Sequence, residues 1–207
     1  MTTAYFLRHG LTQENKERRV QGQTPGTLQV ADTERYIAAV VPLLREKHPN
    51  VILSSDLERA VKTRRILKQF LQIADASEGT LPMLRERAMG YYEGMLWEQV
   101  PKEFQEELNR DEYDFRKFGG ENNEDVRERV RATLRILAQQ YNGRKVVCVT
   151  HAGWLKELVN VAGQSGVMPD GWSNRQSIYE AGVGPTGALQ YFHPIHIQAS
   201  VTKQEEA

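Results

Sequence analysis

Two arginines and two histidines stand within a few residues of the ends of three short β-favouring segments. Arg8 and His9 close the first segment, Arg59 follows the second, and His151 follows the third. Ligands of open α/β folds bind outside the carboxyl ends of the strands, so we expect these side chains to converge on one pocket. Guanidinium groups bind phosphate oxygens bidentately, and a neutral imidazole can attack phosphorus. The pattern therefore indicates a site for a phosphate dianion.

Each of these residues has a simpler interpretation when it is considered alone. A single His after a strand is more often a structural hydrogen-bonding group, and an Arg near a helix start is more often a solvent-exposed residue. Glu86, which lies between Arg85 and Arg87, is open to interpretation as half of a surface ion pair. Only the joint pattern distinguishes a functional site from these alternatives.

Hydrophobic periodicity predicts the strands and helices that would position these residues. Apolar runs predict strands at 3–7, 51–53, 145–150, 177–180 and 188–192, and the run KVVCVT at 145–150 is the clearest. Helical spacing predicts helices at 32–47, at 57–70 behind N-caps at 54–56, at 96–109, from 123 or 124 to 141, and at 152–161. This alternation predicts an α/β fold, a three-layer α/β/α sandwich with a mostly parallel central sheet. We expect a single domain over 1–207 with a frayed tail at 198–207.

The composition argues against several classes of partner. The 207 residues hold 27 Lys and Arg against 27 Asp and Glu, so no overall basic charge attracts nucleic acid or an anionic membrane. The single Cys cannot form an internal disulfide, the N-terminal MTTAYFLRH is unlike a signal peptide, and no apolar run approaches membrane-spanning length. We therefore expect a soluble cytoplasmic protein.

Six segments, in order along the chain, resemble the motifs of the histidine phosphatase superfamily, also called the phosphoglycerate mutase-like family. The first is Arg8-His9-Gly10, followed by Thr12, Asn15 and Gln21-Gly22. The others are SSDLERAVKT, LRERAMGYYEG, GGEN at 119–122, VVCVTHAG, and the stretch from Asn174 to Ile178. The resemblance implies a phosphoglycerate mutase-like fold.

The resemblance also implies a role for individual residues. It makes Arg59 the second phosphate-binding Arg, Glu86 the general acid and His151 the second His of the site, beside Arg8 and His9. The residues that it places around the substrate are Thr12, Asn15, Gln21, Gly22 and Ala152. Thr12 and Asn15 have an alternative role, as caps of the helical turn that follows them.

Some positions depart from the family's pattern. After Gln21-Gly22 the chain reads QTPGTLQVADTE rather than the usual Asp-x-Pro-Leu-Thr-x-x-Gly, so the substrate contacts of this loop are not carried over. Ala152 stands where a second Gly is common, and Asn122 replaces the usual Ser. None of these changes affects the five side chains expected to react or to bind phosphate.

Phosphoryl transfer needs an in-line nucleophile, positive charge around the equatorial oxygens, and a proton for the leaving oxygen. His9 is the candidate nucleophile, and we expect its other ring nitrogen to donate to a backbone carbonyl that fixes the tautomer. Arg8, Arg59 and His151 would surround the transferring group, which is what a metal ion does in other enzymes, so no cofactor or metal is expected. Glu86 would protonate the leaving alkoxide and then activate water.

The residues between Glu86 and His151 bear on the choice between phosphatase and mutase. This stretch is short and lacks the Arg-Arg pair that binds the second phosphate in the mutases, so it resembles the short phosphatase branch. We therefore predict a phosphomonoesterase for a small phosphorylated metabolite. Four aromatic residues are candidates for the wall of the leaving-group side: Phe104, Tyr113, Phe115 and Phe118.

Several alternatives stay open at this point. They are mutase-type phosphoryl transfer, a non-catalytic module that binds a phosphorylated ligand, and a metal-dependent hydrolase that uses the His residues. A homodimer is possible and would leave no signal in the composition.

Overall fold

The computed structural model describes residues 1–73, 75–110, 112–164, 175 and 177–197. The strands are β1 (Thr2–Arg8), β2 (Val51–Ser54), β3 (Ser77–Thr80), β4 (Lys145–Thr150), β5 (Ser177–Val183) and β6 (Leu189–His196). The helices are α1 (Gln13–Lys16), α2 (Val30–Lys47), α3 (Glu58–Leu71), α4 (Lys102–Arg110), α5 (Asn123–Gln140) and α6 (Ala152–Val161). Single 3₁₀ turns lie at Pro82–Leu84, Gly90–Tyr92, Trp97–Gln99 and Arg116–Phe118. The predicted tail at 198–207 and the motif residue Asn174 lie outside the described residues.

The strands form one sheet in the order β3-β2-β4-β1-β5-β6. β1 pairs in parallel with β4, and β4 and β3 pair in parallel with β2. β5 is antiparallel to both of its neighbours, so five of the six strands run in the same direction. The predicted mostly parallel sheet is confirmed, and the carboxyl ends of β1, β2 and β4 lie side by side.

Helices cover both faces of the sheet. Phe6 and Cys148 face a core built with α5 and α6, whereas Leu7 and Val149, one residue further along the same strands, face a core built with α2 and α3. Adjacent side chains of a strand point to opposite faces, so an apolar run is what a sheet covered on both faces requires. The predicted three-layer α/β/α sandwich is confirmed.

The predicted N-caps of α3 are wrong. The helix begins at Glu58, and its N-cap residue, Leu57, makes no side-chain capping hydrogen bond. The candidate caps at 54–56 are used elsewhere, because Ser55 binds a histidine of the site and Asp56 forms an ion pair with Arg85.

Other elements also differ from the prediction. The helix predicted at 96–109 is a 3₁₀ turn followed by α4, because Pro101 disfavours helical geometry at Val100, whose φ and ψ of −75° and 129° are extended. β3 was not predicted, since its sequence SEGT is polar and mostly exposed at the sheet edge. β5 and β6 extend beyond their predicted ends.

A third apolar group, which we call the aromatic cluster, lies apart from the two sheet cores. Its buried members are Val20, Met89, Tyr92, Val100, Phe104, Leu108, Tyr113 and Phe115. The Tyr113 hydroxyl donates to the carboxylate of Glu157 over 3.0 Å, and Arg127 Nε donates to the same carboxylate over 2.8 Å. Glu157 is fully buried on α6, so this charged group ties the aromatic cluster to the sandwich.

None of the helices within the described ranges is long and apolar enough to cross a membrane.

Tyr113→Phe is expected to lower the free energy of unfolding by about 2 kcal/mol, because a buried carboxylate loses a hydrogen bond while the ring packing is kept. Urea denaturation at pH 7 measures the change. Tyr91→Phe is the matched control, since Tyr91 is 70% exposed and should leave the stability unchanged. Equal stability of wild type and Tyr113→Phe would contradict a stabilising role for this contact.

Candidate active site

The parallel strand ends bring two histidines together. His9 directly follows β1, and its backbone N–H donates to the carbonyl of Thr150, the last residue of β4, over 2.9 Å. His151 follows Thr150, and the centroids of the two imidazole rings lie 5.0 Å apart. Both residues are buried. The predicted convergence of these strand ends is therefore confirmed.

The hydrogen bonds of His9 fix its tautomer. Nδ1 lies 2.7 Å from the carbonyl oxygen of Gly10. A carbonyl only accepts, so Nδ1 carries the proton, as the sequence predicted, and Nε2 keeps its lone pair. Arg59 Nε donates to that Nε2 over 3.3 Å. Burial, followed by the charges of Arg59 and other neighbours, holds the pKa of His9 well below 6.5, so the imidazole is neutral at physiological pH.

Arg59 is almost completely buried and is held by the loop at 22–24. Its terminal nitrogens donate to the carbonyls of Gly22 and Thr24, each over 2.7 Å. Burial lowers its pKa to about 10, against the opposing effect of Glu86. Arg8 is also buried, and burial lowers its pKa while Glu86 raises it. Arg8 and Arg59 therefore both lie in this pocket with the carboxylate of Glu86.

Backbone amides orient the carboxylate of Glu86. Oε1 accepts from the N–H of Arg87 over 2.8 Å, and Oε2 accepts from the N–H of Gly153 over 3.2 Å. A Cβ atom at Gly153 would lie 2.4 Å from Oε1, so a glycine is required for this close approach. The first turn of α6 thus fixes the position of the Glu86 carboxylate.

His151 is held by Ser55, whose hydroxyl lies 2.6 Å from Nε2. Burial, and then the charges of Arg59 and Arg8, keep the pKa of His151 well below 6.5. Its Nδ1 is buried and has no hydrogen-bond partner among the described residues. A neutral imidazole with one unsatisfied nitrogen therefore lies beside His9.

Four of the five expected substrate-binding residues line the cavity, and Thr12 does not. Thr12 is fully buried as the N-cap of α1, and its hydroxyl accepts from the backbone N–H of Asn15 over 3.2 Å. The capping alternative is confirmed for Thr12, and also for Asn15, whose Oδ1 accepts from the backbone N–H of Thr12 over 3.2 Å. The cavity-lining residues are Asn15, Gln21, Gly22 and Ala152.

The cavity has a volume of about 380 Å³ and extends beyond the phosphate-binding side chains. Its further lining is partly apolar and partly cationic, from Val20, Met89, Trp97, Leu108, Arg18, Arg19 and Arg87, with Gln105. The predicted wall of Phe104, Tyr113, Phe115 and Phe118 is wrong. Of the described residues, these four pack in or against the aromatic cluster instead.

Three residues near the site were missed by the sequence analysis. Ser55 is a predicted helix cap, although its position directly after β2 places it at the same edge of the sheet as the other site residues. Arg87 was interpreted as an ion-pair partner, but it is buried, lines the cavity and lies 4.2 Å from the Tyr113 ring centroid. Arg175 lies within the motif-like stretch from Asn174 to Ile178 but received no role, and its guanidinium donates to Asn15 Oδ1 over 2.7 Å.

The described residues contain no group of three or more His, Cys, Asp or Glu side chains that could hold a metal ion. Five arginines line this pocket: Arg8, Arg18, Arg19, Arg59 and Arg87.

Comparison with known proteins agrees with this geometry. A family model described as the histidine phosphatase superfamily, branch 1, matches residues 4–176. A metal-independent phosphoserine phosphatase of Arabidopsis thaliana is 28% identical over 162 residues, which cover 76% of this chain and 67% of that protein. A probable phosphoglycerate mutase, GpmB, of Salmonella paratyphi A is 31% identical over 163 residues, 77% of this chain and 74% of that protein.

Solved structures show the same fold. A mycobacterial glucosyl-3-phosphoglycerate phosphatase is 23% identical, with a TM-score of 0.73 over 93% of this chain and 96% of that chain. A phosphoglycerate mutase from Bacillus anthracis is 21% identical, with a TM-score of 0.78 over 95% of this chain and 92% of that chain. At these identities the likeness establishes the architecture.

The two neutral buried histidines make stability depend on pH. Their folded-state pKa values lie below 6.5, so the unfolded chain binds more protons and the free energy of unfolding falls as pH decreases below 6.5. His9→Gln and His151→Gln should each reduce this slope by up to ~1.4 kcal/mol per pH unit. Urea titrations at pH 7.5, 6.0 and 5.0 measure it. The exposed His193→Gln is the control, and a wild-type slope in either buried variant would contradict a neutral imidazole there.

Proposed function

The chain belongs to the histidine phosphatase superfamily, and we propose that it is a phosphomonoesterase that hydrolyses a small phosphorylated metabolite through a phosphohistidine at His9. The observation that carries this proposal is the state of His9: Nδ1–H is bound to the Gly10 carbonyl, the pKa is depressed, and Nε2 is left with a lone pair inside a pocket lined by Arg8 and Arg59. A nucleophile of this kind needs no deprotonation before it attacks phosphorus.

In the first step, His9 Nε2 attacks phosphorus and the bond from phosphorus to the ester oxygen breaks. The carboxyl group of Glu86 gives its proton to the departing alkoxide, which leaves as the alcohol. In the second step, Glu86 as carboxylate takes a proton from water, the resulting hydroxide attacks phosphorus, and the P–N bond breaks. Inorganic phosphate leaves, and the lone pair returns to Nε2.

The cationic groups supply the charge that this transfer requires. Arg8 and Arg59 neutralise the equatorial oxygens, and their partial desolvation strengthens that interaction. We assign His151 as a donor beside the transferring group: with the Ser55 hydroxyl donating to Nε2, Nδ1 carries the proton and is left for a phosphoryl oxygen, although the ring is not among the residues that line the cavity before a ligand binds. On this proposal, hydrolysis does not depend on a divalent metal.

The leaving-group side of the cavity supports a proposal about the substrate. Arg18, Arg19 and Arg87 line it together with the apolar side chains of Met89 and Trp97. Such a surface favours an alcohol that has both an apolar part and an anionic group of its own. Asn15, Gln21, Gly22 and Ala152 are the proposed further substrate contacts.

The same three arginines favour a second candidate function, mutase-type phosphoryl transfer, because they offer charge for a second phosphate. Assays that follow both release of inorganic phosphate and isomerisation of a phosphoglycerate distinguish the two. Hydrolysis without isomerisation supports the phosphatase, and isomerisation that exceeds hydrolysis supports the mutase.

His9→Ala is expected to lower hydrolysis of p-nitrophenyl phosphate and of metabolite monoesters by about 10³-fold or more, because the nucleophile is lost. The assay is run after EDTA treatment, with the exposed His193→Ala as the control that keeps wild-type activity. Rapid acid-free quenching during turnover should trap acid-labile, alkali-stable phosphate on the wild type alone. Undiminished activity of His9→Ala would remove His9 as the nucleophile, and loss of wild-type activity with EDTA would favour a metal-dependent hydrolase.

Glu86→Gln should slow the hydrolysis of alkyl monoesters far more than that of p-nitrophenyl phosphate, because p-nitrophenolate leaves without protonation. Gly153→Ala should produce the same pattern in weaker form, since the added Cβ displaces the carboxylate. Gly79→Ala is its control, because a Cβ there meets only Leu53 Cδ2 at 3.6 Å. An equal loss for both leaving groups would argue against Glu86 as the general acid.

A further inference from the structure

Arg175 lies just before β5 and contacts the loop that carries His9. Its Nε donates to the His9 carbonyl over 3.3 Å, and one terminal nitrogen donates to the Gly10 carbonyl over 3.4 Å. The same nitrogen donates to Asn15 Oδ1 over 2.7 Å. One guanidinium thus spans the His9–Gly10 backbone and a side chain of the cavity wall.

The Gly10 carbonyl has two donors. It accepts from His9 Nδ1 over 2.7 Å and from Arg175, and a carbonyl oxygen has two lone pairs with which to do so. This carbonyl decides which nitrogen of His9 carries the proton. A cation bound to it restrains its direction, so the orientation of the imidazole depends on Arg175.

The charges that act directly on His9 are those of Arg59, His151, Arg8 and Arg175. The charged or titratable groups that face His9 or its immediate neighbours are Arg8 at the end of β1, Glu14 on α1, Tyr36 on α2, Arg59 on α3, Glu86 in the loop after the 3₁₀ turn at Pro82–Leu84, Glu93 after the 3₁₀ turn at Gly90–Tyr92, Arg129 on α5, His151 after β4 and Arg175 before β5. Glu86 compensates Arg8 and Arg59. The positive charge of Arg175 disfavours protonation of His9.

We propose that Arg175 is a positioning residue for the nucleophile, which holds the Gly10 carbonyl against His9 Nδ1 and keeps Nε2 unprotonated and aimed into the cavity. Among the described residues it is not part of the cavity lining, so it acts through His9 and Asn15 rather than on the substrate. The chemical consequence rests on the proposed function, because it takes His9 as the nucleophile.

The first test is independent of catalysis. ¹⁵N-labelled histidine ring signals of the resting, ligand-free protein report the tautomer and protonation of His9 as a function of pH. Removing the cation in Arg175→Gln should raise the pKa of His9, so its protonation midpoint moves to higher pH and the Nδ1–H tautomer is less populated. Arg175→Lys keeps the charge and should hold the midpoint near that of wild type. Arg65→Gln removes an equal charge from the exposed face of α3 and should change neither signal.

The second test is kinetic. Arg175→Gln should lower kcat about tenfold, the effect of one lost charge-assisted hydrogen bond, with a smaller change in KM. The acidic side of the kcat/KM pH profile should shift to higher pH in Arg175→Gln. In Arg175→Lys its midpoint should return to the wild-type pH, whereas kcat should recover only in part. Denaturant unfolding confirms that each variant is folded.

The outcomes separate this inference from the proposed function. His9 titration and tautomer that are identical in wild type and folded Arg175→Gln would overturn the positioning role, whatever the activity. A changed titration in a protein that hydrolyses no monoester would support the positioning role and count against the phosphatase. If Arg175→Gln lowers kcat but leaves both the acidic side of the kcat/KM pH profile and the ¹⁵N signals of the His9 ring unchanged, the role of Arg175 is structural only and the proposal is overturned.

Discussion

The hydrogen bond from His9 Nδ1 to the Gly10 carbonyl is the contact on which the site depends, because it leaves Nε2 unprotonated and able to accept from Arg59 Nε. Gly10 itself is tightly enclosed. Its N–H donates to Thr63 Oγ1 on α3 over 3.0 Å, and a Cβ there would lie 2.1 Å from Thr33 Oγ1 on α2. Two helices that cover one face of the sheet therefore fix the carbonyl that selects the tautomer. The architecture and the state of the nucleophile are coupled at this one residue.

Positive charge is concentrated in the pocket. Arg8 and Arg59 both line it, burial lowers the pKa of both guanidinium groups, and the carboxylate of Glu86 opposes that shift in each. Isolated charges are costly to bury, so the protein satisfies Arg59 with the carbonyls of Gly22 and Thr24. On the proposed function, a phosphate dianion supplies the opposite charge that these arginines lack, and these existing hydrogen bonds already hold Arg59 in place to receive it.

The parts of this arrangement that follow local rules could be predicted from the sequence. The apolar run at 145–150 and the strand-end positions of Arg8, His9 and His151 were sufficient to predict the sheet centre and the convergence of the site. The polar strand β3 and the aromatic cluster behind the cavity were not predicted, because β3 lacks apolar residues and the aromatic residues pointed to a substrate wall. For Thr12, the sequence left capping and substrate binding as alternatives. Arg175 lies 160 to 166 residues from its partners along the chain, so only the folded chain reveals its contacts.

The two histidines show how neighbours divide one side-chain type between two tasks. At His9 the Nδ1–H donates to a carbonyl, so the unprotonated Nε2 is the atom proposed to attack phosphorus. At His151 the serine hydroxyl lies against Nε2, and on the proposed assignment it donates there, which leaves the buried Nδ1–H as a donor. Both rings then have the same tautomer and present opposite edges. On the proposed mechanism, a carbonyl next to His9 and a hydroxyl next to His151 therefore assign attack to one ring and charge stabilisation to the other, and burial keeps both rings neutral.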